Sequence, residues 1–305
     1  MKLIVINPKK DFTEQQVKML ETKGEAVFIE THEEYKEFKV LFEEGEKIVV
    51  LGPEVVDWEF SNETIDKIPD LKGICLPTTG FAYVDGTNLR TKNIPLTNVP
   101  KYATESVAEY AISLMLNITR KLPLVIKNDW KIDYDNQQGW EIKGKIMGII
   151  GLGAIGSRIA ELGQAMGMKV TYWSRKSRND NYDYMELDEV LKNSDYVFPA
   201  LAKNDKTHNL LSKEKLDLMK PNAFLVSITG EDIFDFEHAV KMVNSGALAG
   251  VAMEDEKRNS TNFDGNVWIT PPIAWFTQEA FDEDMRIWVD TVVSVIEGNP
   301  INLVN

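Results

Sequence analysis

Three glycines with the spacing of a phosphate-binding turn are the most informative residues of the chain. Residues 145–156 have the sequence KIMGIIGLGAIG, an apolar run that leads into G-x-G-x-x-G at Gly151, Gly153 and Gly156. Gly151 permits a tight turn, Gly153 lets the backbone approach a pyrophosphate, and Gly156 lets the next helix pack closely. The pyrophosphate would lie beside Ala154 and Ile155, where a helix N-terminus favours negative charge. The pattern predicts a dinucleotide-binding site.

The elements that would position this turn follow from the hydrophobic periodicity. A strand at 146–150 precedes the turn, and a helix at 154–166 and a strand at 169–173 follow it. The same alternation predicts strands at 3–6, 27–30, 48–51, 73–76, 196–200, 224–226, 250–253 and 267–270, and helices at 14–22, 33–42, 104–120 and 277–296. Strands that alternate with helices indicate an α/β fold with parallel sheets. The simplest arrangement is a second domain inserted between the two long helices, with a ligand cleft between the domains.

Length, charge and cysteine content narrow the class of protein. A chain of 305 residues corresponds to about two domains of ~150 residues each. A formal net charge of −14 argues against binding to nucleic acids or anionic membranes. The single cysteine, Cys75, lies in an apolar run and is expected to be a core residue, so no intrachain disulfide forms. We expect a cytoplasmic protein with no metal site, nucleic-acid partner or membrane span.

The residues after the strand at 169–173 bear on the choice of nicotinamide cofactor. NAD-binding domains place an acidic residue there, about 20 residues beyond the glycines, to accept hydrogen bonds from the ribose. Here Ser174 occupies that place, and Arg175, Lys176 and Arg178 follow it. A serine does not repel a 2′-phosphate, and guanidinium groups bind phosphate well. The pattern favours NADP over NAD, although a solvated basic turn would have the same composition.

Several motifs in the same order resemble D-2-hydroxyacid dehydrogenases over almost the whole chain. The matching segments are residues 98–109, 148–156, 219–223, 245–250 and 269–275. The resemblance implies two doubly wound parallel-sheet domains. A Rossmann nucleotide domain, residues 100–277, would be inserted into a flavodoxin-like substrate domain, residues 1–99 plus 278–305. It also implies a homodimer that acts on a small-molecule substrate.

The catalytic residues implied by that resemblance are replaced in this sequence. The family uses an arginine to bind the substrate carboxylate, a histidine as acid and base, and a glutamate that hydrogen-bonds the histidine. Their positions align with Gly230, Pro272 and Asn259. The resemblance further assigns Thr104 and Glu254 to the cofactor pocket. A plain 2-keto acid would therefore be held poorly, because hydride transfer to a carbonyl needs a proton donor and positive charge.

Substitutes for the lost groups are sought among residues near these positions. Glu231 is a candidate acid, and Lys257 and Arg258 are candidate cations, although all three are also typical of a solvated loop.

The histidines of the chain are His32, His208 and His238, and none of them lies near the aligned positions in the sequence.

Substrate-side features persist in part. The segment 77–81 aligns with a family turn whose backbone N–H groups bind substrate oxygens, so Thr79 and Gly80 are expected to retain that role. Tyr102 and Trp275 match positions close to the family's active site, and either residue is equally compatible with packing.

Three hypotheses remain open. The first is an NADP-dependent oxidoreductase of this family that acts on an atypical substrate. The second is a non-catalytic protein that binds NAD(P)(H) and acts as a sensor or regulator. The third is an ordinary 2-hydroxyacid dehydrogenase, which is disfavoured because no arginine occurs between Arg178 and Arg258.

Overall fold

The structure is a computed structural model that describes residues 1–30 and 35–305, and it divides into two compact units. Unit 1 comprises residues 1–102 and 278–305, and unit 2 comprises residues 103–277. The strands are β1 Lys2–Ile6, β2 Glu25–Ile29, β3 Lys47–Leu51, β4 Leu71–Cys75, β5 Leu96–Thr97, β6 Ile146–Ile150, β7 Lys169–Trp173, β8 Asp183–Tyr184, β9 Tyr196–Pro199, β10 Ala223–Ser227, β11 Leu248–Glu254 and β12 Val267–Thr270. The helices are α1 Glu14–Lys23, α2 Asn62–Lys67, α3 Gly86–Thr91, α4 Thr104–Thr119, α5 Leu122–Lys127, α6 Ala154–Ala165, α7 Leu187–Asn193, α8 Lys213–Leu216, α9 Phe236–Ser245 and α10 Gln278–Ile296.

Unit 1 is built on a five-stranded parallel sheet of order β2-β1-β3-β4-β5. Both faces of the inner strand β1 are buried, because Leu3 and Val5 join one hydrophobic cluster and Ile4 and Ile6 join the other. This is why the strand is continuously apolar rather than alternating. The sheet order is that of flavodoxin-like folds, which confirms the predicted architecture.

Helix α10 completes unit 1 from the far end of the sequence. Trp288 is fully buried, and its indole Nε1 donates a hydrogen bond of 3.0 Å to the carbonyl oxygen of Cys75 at the end of β4. Met285 and Val292 pack into the same cluster as Cys75. The single cysteine is therefore a core residue, as expected, and burial raises the pKa of its thiol to about 12.

Unit 2 contains a seven-stranded parallel sheet of order β12-β11-β10-β9-β6-β7-β8. The chain runs outward from β6 to β8 and then returns to the other side of β6 with β9, so the strand order reverses between β6 and β9. Gly148 in β6 permits close packing, because a Cβ there would lie 2.1 Å from Ser194 Oγ. Helix α4 buries Ala108, Ala111 and Ile118 in the same core as β6.

One predicted helix is wrong in the part that the structure describes. In place of a helix over 33–42, short 3-10 turns occur at Tyr35–Glu37 and Lys39–Phe42. Phe38 separates them with a non-helical backbone (ψ 88°), and its ring is buried. Burial of this ring in unit 1 outweighs the local helical periodicity. Residues 31–34 lie outside the described part of the chain.

Candidate functional site

The glycine turn after β6 has the geometry that approach of a phosphate requires. Gly151 lies at φ +102°, and an added Cβ would lie 2.5 Å from the carbonyl oxygen of Ala200. A Cβ at Gly156 would lie 2.0 Å from the carbonyl oxygen of Gly151, so α6 packs directly on the turn. A Cβ at Gly153, by contrast, would meet no atom within 4 Å. The backbone at Gly153 is therefore open to a ligand, whereas Gly151 and Gly156 face protein.

Helix α6 presents its N-terminus at the same turn. It begins at Ala154 with Gly153 as its N-cap, and no side chain caps it. The first N–H groups of a helix, here those of Ala154, Ile155 and Gly156, have no acceptor within the helix. A phosphate placed against Gly153 would receive hydrogen bonds from these groups and favourable interaction with the helix dipole.

A cavity of about 730 Å³ opens in front of the turn and is called the cofactor cavity below. It is bounded by the segments that follow β6, β7 and β9, which are neighbours in the sheet. The lining residues are Gly151, Leu152, Gly153, Ser174, Arg175, Lys176, Ala200, Leu201, Ala202, Asn204, Asp205 and Lys206. Nucleotides usually bind doubly wound sheets at the point where strand order reverses. Three cations and one carboxylate line this cavity, and this charge balance favours a phosphorylated ligand.

The basic segment after β7 divides into two parts. Arg175 and Lys176 line the cofactor cavity with Ser174, whereas Arg178 does not. The Arg178 guanidinium donates hydrogen bonds to the carbonyl oxygens of Ser174 (2.8 Å) and Ser177 (2.9 Å). Its central carbon also lies 3.9 Å from the ring centroid of Tyr184. The contacts of Arg178 in the free protein thus lie within its own loop and with Tyr184, and its contact with a phosphate stays a prediction.

A second cavity, of about 440 Å³, brings two of the aligned catalytic positions together in unit 2. Gly230 follows β10 at φ +73°, and Pro272 follows β12. The lining residues are Lys203, Ile228, Thr229, Gly230, Asp232, Glu254, Asp255, Glu256, Lys257 and Pro272. Four carboxyl groups and two lysines are present among them. Neither an arginine nor a histidine is among these lining residues.

A lysine occupies the space beside Gly230. The Lys203 ammonium lies 3.2 Å from the position that a Cβ at Gly230 would take. It also forms an ion pair of 2.9 Å with Asp232 Oδ2. Lys203 therefore supplies a cation at this position, and the neighbouring carboxylate compensates its charge. No sequence signal indicated this proximity, which follows from the pairing of β9 with β10 in the sheet.

Two residues that the resemblance assigned to the cofactor lie outside the cofactor cavity. Glu254 ends β11 and lines the second cavity, where its Oε1 accepts a hydrogen bond of 2.7 Å from the N–H of Ala274. Burial raises the pKa of this carboxyl group. Thr104 is the first residue of α4 and is half-buried.

Of the proposed substitutes for the lost catalytic groups, Arg258 is engaged with other side chains. Arg258 pairs with Asp255 Oδ2 at 2.9 Å and stacks on the ring of Phe236, with 5.0 Å from its central carbon to the centroid. Asn259 caps a short turn by accepting a hydrogen bond of 3.0 Å from the Thr261 N–H. Neither Arg258 nor Asn259 lines the second cavity, whereas Lys257 does. The side chain of Glu231 lies outside the described residues.

The two described histidines line neither of these cavities. His238 on α9 forms a contact of 2.7 Å between its Nε2 and Asp217 Oδ1. His208 is exposed in the loop after β9. His32 lies outside the described residues. Neither histidine that the structure describes is thus placed to act as acid or base at the second cavity.

In unit 1, the predicted substrate turn lies at the carboxyl end of the sheet. Thr79 Oγ1 donates a hydrogen bond of 2.8 Å to the carbonyl oxygen of Val99, and Asn98 Nδ2 donates one of 2.7 Å to the carbonyl oxygen of Thr79. These bonds tie the loop after β4 to the loop after β5. Gly80 is exposed at the tip, and a Cβ there would meet no atom within 4 Å. The turn is thus held firmly while its backbone remains accessible.

The two aromatic candidates fall in different units. Tyr102 ends the first segment of unit 1, and burial raises the pKa of its hydroxyl, as do the charges of Asp284 and Glu54. Trp275 belongs to unit 2, where its ring meets that of Phe276 edge-on with centroids 5.1 Å apart. Tyr102 therefore shares an environment with two carboxyl groups, which the sequence did not reveal.

Comparison with known proteins assigns the chain to a family. Residues 110–274 match the family described as D-isomer specific 2-hydroxyacid dehydrogenase, NAD binding domain. The chain is also 30% identical over 265 residues to a hydroxypyruvate reductase from Blautia hydrogenotrophica, with 80% of this chain and 81% of that protein covered. The chain belongs to the D-isomer specific 2-hydroxyacid dehydrogenase family. The cofactor cavity of unit 2 lies in its NAD(P)-binding domain.

Solved structures share the fold of this family member over its whole length. An acyclic imino acid reductase in complex with NADPH and D-Arg superposes with a TM-score of 0.85, 24% identity and full coverage of both chains. A D-lactate dehydrogenase from Aquifex aeolicus, complexed with NAD and lactic acid, has a TM-score of 0.79 and 24% identity over 98% of this chain and 96% of that one. These two proteins of the same fold thus hold different nicotinamide cofactors.

In this member of the family, the sequence did not reveal residues whose position depends on packing between distant segments of the chain. Lys203 was overlooked beside Gly230, and Asp284 and Tyr83 were overlooked beside Tyr102. Asp284 lies in α10, which belongs to unit 1 although the whole of unit 2 separates it from residues 1–102 in the sequence. No local sequence pattern could therefore indicate that Asp284 is near Tyr102.

Proposed function

We propose that the protein is an NADP(H)-dependent oxidoreductase whose substrate is not a plain 2-keto acid. The observation that carries the cofactor part is the cofactor cavity, in which Ser174, Arg175 and Lys176 stand at the end of β7 beside the glycine turn. The open space at Gly153 fits a pyrophosphate, because a Cβ there would meet no protein atom. When bound, the cofactor would supply or accept a hydride.

The preference for NADP rests on charge and on hydrogen bonding at Ser174. This residue is 8% exposed, and its Oγ accepts a hydrogen bond of 3.2 Å from the Ser177 N–H. A hydroxyl used in this way adds no negative charge near the ribose, whereas a carboxylate would repel a 2′-phosphate. Arg175 and Lys176 are then available to bind that phosphate. The hydrogen bonds from Arg178 hold their loop in place.

The substrate part of the proposal rests on the second cavity. The position aligned with the family's carboxylate-binding arginine is Gly230, and the nearby cation Lys203 is compensated by Asp232. The remaining lining carboxyl groups, Glu254 among them, further disfavour an anion. We therefore expect weak binding of glyoxylate, pyruvate or hydroxypyruvate, and better binding of a substrate with a neutral or cationic group. An imine is the class we favour, because a C=N bond protonates readily and then accepts hydride without a separate acid.

A kinetic panel tests the proposal directly. NADPH binding is measured by its fluorescence, and NADPH oxidation is then followed with the three 2-keto acids, with aldehydes, and with mixtures of a keto acid and an amine that form imines. We expect imine mixtures to exceed the keto acids by at least about tenfold in kcat/KM. Rates with a keto acid alone of about 10 s⁻¹, the median for enzymes, would contradict the proposal. Tight NADPH binding without turnover on any substrate would instead favour a sensor.

We further infer a cytoplasmic homodimer. The family resemblance supports the dimer, and a single buried cysteine that forms no disulfide suits a reducing compartment. Among the described residues, no helix has both the length and the apolar character that a membrane crossing demands. Light scattering coupled to size-exclusion chromatography measures the oligomeric state, and a mass of one chain would refute the dimer.

A further inference from the structure

Asp284 is a buried carboxyl group in a place where the packing calls for an apolar side chain. It lies on α10, one turn before Trp288, whose indole is anchored to the end of β4. The residue is 6% exposed. Its neighbours on the same helix, Met285 and Val289, are core residues of unit 1. A carboxyl group here costs stability unless a partner compensates it.

No compensating partner is present among the described residues. Asp284 Oδ1 is buried and has no hydrogen-bond partner. Of the described residues, Glu54 is the one whose charge raises the pKa of Asp284, because the two carboxylates repel each other. Burial and this repulsion together raise the pKa of Asp284 to about 8. Unpaired buried carboxyl groups of this kind are characteristic of ligand sites rather than of cores.

The titratable side chains that interact electrostatically with Asp284 come from the loops after three neighbouring strands. Glu54 follows β3, Tyr83 follows β4 and Tyr102 follows β5, and these strands are adjacent in the parallel sheet. The charges of Glu54 and Asp284 both raise the pKa of each tyrosine, so the four groups lie within electrostatic reach of one another. Glu54, Tyr83, Tyr102 and Asp284 are called the edge cluster below. It lies at the carboxyl edge of the sheet, where α/β folds bind ligands.

The edge cluster is held in position by its surroundings. Tyr83 Oη and Thr78 Oγ1 are 2.9 Å apart, and Thr78 Oγ1 also donates a hydrogen bond of 2.6 Å to the carbonyl oxygen of Gly80. Two side-chain-to-backbone hydrogen bonds also tie the loop that carries Tyr83 to the loop that carries Tyr102. Glu54 is exposed and the two tyrosines are half-buried, so a ligand can reach them from solvent. The site is therefore organised before a ligand arrives.

We propose that the edge cluster binds the ammonium or guanidinium group of an organic amine, with Asp284 as its counter-ion. Two carboxyl groups attract a cation, and tyrosine rings and hydroxyls contribute cation–π contacts and hydrogen-bond acceptors. An anionic group is excluded by the same carboxyl groups. The inference rests on the proposed function in one respect: it identifies the substrate as one that carries an amino or guanidino group.

Proton balance gives the proposal a distinctive signature. Asp284 is largely protonated at neutral pH, whereas an ammonium group bound beside it favours the carboxylate. Binding of the cation therefore displaces a proton from Asp284 to solvent, while Tyr83 and Tyr102, whose pKa values are raised by burial, stay protonated. Affinity for amines then increases as the pH rises towards 8. A neutral alcohol of the same shape would release no proton.

Calorimetry on the full chain tests this directly. Butylamine, agmatine and arginine are titrated at pH 7 in phosphate and in Tris, whose ionisation enthalpies differ, with butanol as the neutral probe. We expect the amines to bind at least about tenfold more tightly than butanol, and the difference in heat between buffers to report proton release. Asp284→Asn, which preserves size, is expected to weaken amine binding at least tenfold and abolish the release. Glu54→Gln, at an exposed position, is expected to weaken it about threefold.

A matched control lies on the same helix. Asp290 is half-exposed and paired with Arg286 at 2.9 Å, so Asp290→Asn should leave amine binding and proton release unchanged. Equal binding of butylamine and butanol, or proton release that persists in Asp284→Asn, would overturn the proposal. These measurements need neither cofactor nor turnover. Amine binding without imine reduction would therefore refute the proposed function alone, and imine reduction without amine binding here would refute this site alone.

Discussion

The two parallel sheets of this protein have opposite chemistry at their carboxyl edges. In unit 2, the loops after β6, β7 and β9 present an uncapped helix N-terminus with Arg175, Lys176 and Lys206. In unit 1, the loops after β3, β4 and β5 carry two tyrosines and Glu54, and Asp284 on α10 lies within electrostatic reach of both tyrosines. The same architecture thus offers an anion site on one sheet and a cation site on the other. The fold determines where a ligand binds, and a few loop residues determine its charge.

The comparison also separates backbone recognition from side-chain recognition. At the cofactor cavity the groups that would bind a phosphate are backbone N–H groups, and the backbone conformation at Gly151 and Gly153 determines their position. At the edge cluster the recognition groups are side chains brought from distant parts of the chain. Substitutions at the cofactor cavity should therefore weaken cofactor binding, whereas substitutions in the edge cluster should change amine binding and the pH dependence of stability.

The largest effect is expected at Gly153. Gly153→Val adds a side chain where the structure has open space, so the free protein should unfold at an unchanged temperature while NADPH binding weakens by about 100-fold or more, which is about 2.7 kcal/mol. Differential scanning fluorimetry and NADPH fluorescence measure the two quantities. Gly156→Ala is the matched comparison, because its Cβ would lie 2.0 Å from the Gly151 carbonyl oxygen and should lower the unfolding temperature. Similar losses of stability in both variants would contradict the assignment.

Arg175 should distinguish the two cofactors. A lost charge-assisted hydrogen bond costs about 1.5–3 kcal/mol, so Arg175→Ala should raise the Kd for NADPH by roughly 10- to 100-fold and that for NADH by less than about threefold. Arg178→Ala serves as the control, since its guanidinium contacts Tyr184 and backbone carbonyls of its own loop. Fluorescence titration with both cofactors gives the ratios. Equal weakening of NADPH and NADH by Arg175→Ala would rule out the phosphate role.

The edge cluster should make stability depend on pH. The pKa of Asp284 is about 8 in the folded state and about 3.9 when unfolded, so the folded state holds one more proton between these values. The free energy of unfolding should then fall as the pH rises from 5 to 7, by at most about 1.4 kcal/mol per pH unit relative to Asp284→Asn. Urea unfolding followed by tryptophan fluorescence at three pH values measures the slope. Parallel pH profiles for the wild type and this variant would show that Asp284 titrates normally.

The smallest effect is expected at the second cavity. Asp232→Asn removes the partner of Lys203, and exposed ion pairs of this kind are worth about 0.2–1 kcal/mol. The freed ammonium should raise kcat/KM for glyoxylate up to about fivefold, as measured by NADPH oxidation. Adding Lys203→Gln should cancel the gain. A gain that survives in the double variant would show that Lys203 does not contact the substrate.

The sequence predicted the fold better than the candidate site, for physical reasons. Long apolar strands such as β1 and β6 carry enough local signal to be recognised, whereas the two-residue strands β5 and β8 do not. The glycine turn was predictable because backbone conformation there depends on residue type alone. The spacing alone assigned Arg178 to the phosphate, and it did not indicate that the guanidinium stacks on Tyr184.

Positions set by long-range packing were beyond the reach of the sequence. Lys203 meets Gly230 only because β9 and β10 are neighbours in the sheet. Asp284 comes within electrostatic reach of Tyr83 only because α10, which follows the whole of unit 2 in the sequence, belongs to unit 1. Whether the second cavity has lost the family's catalytic chemistry stays a prediction until the kinetic panel is measured.

The hydrogen bond from Trp288 to Cys75 bears on how the protein folds during its synthesis on the ribosome. Unit 2 is contiguous in the sequence, whereas unit 1 needs α10, which is synthesised after all of unit 2. Until then Cys75 lacks the α10 residues of its hydrophobic cluster, Trp288 among them, and we expect its thiol to be more reactive. Once α10 docks, the thiol is buried and its pKa rises to about 12. The reactivity of the single cysteine of the chain is therefore expected to decrease when unit 1 is completed.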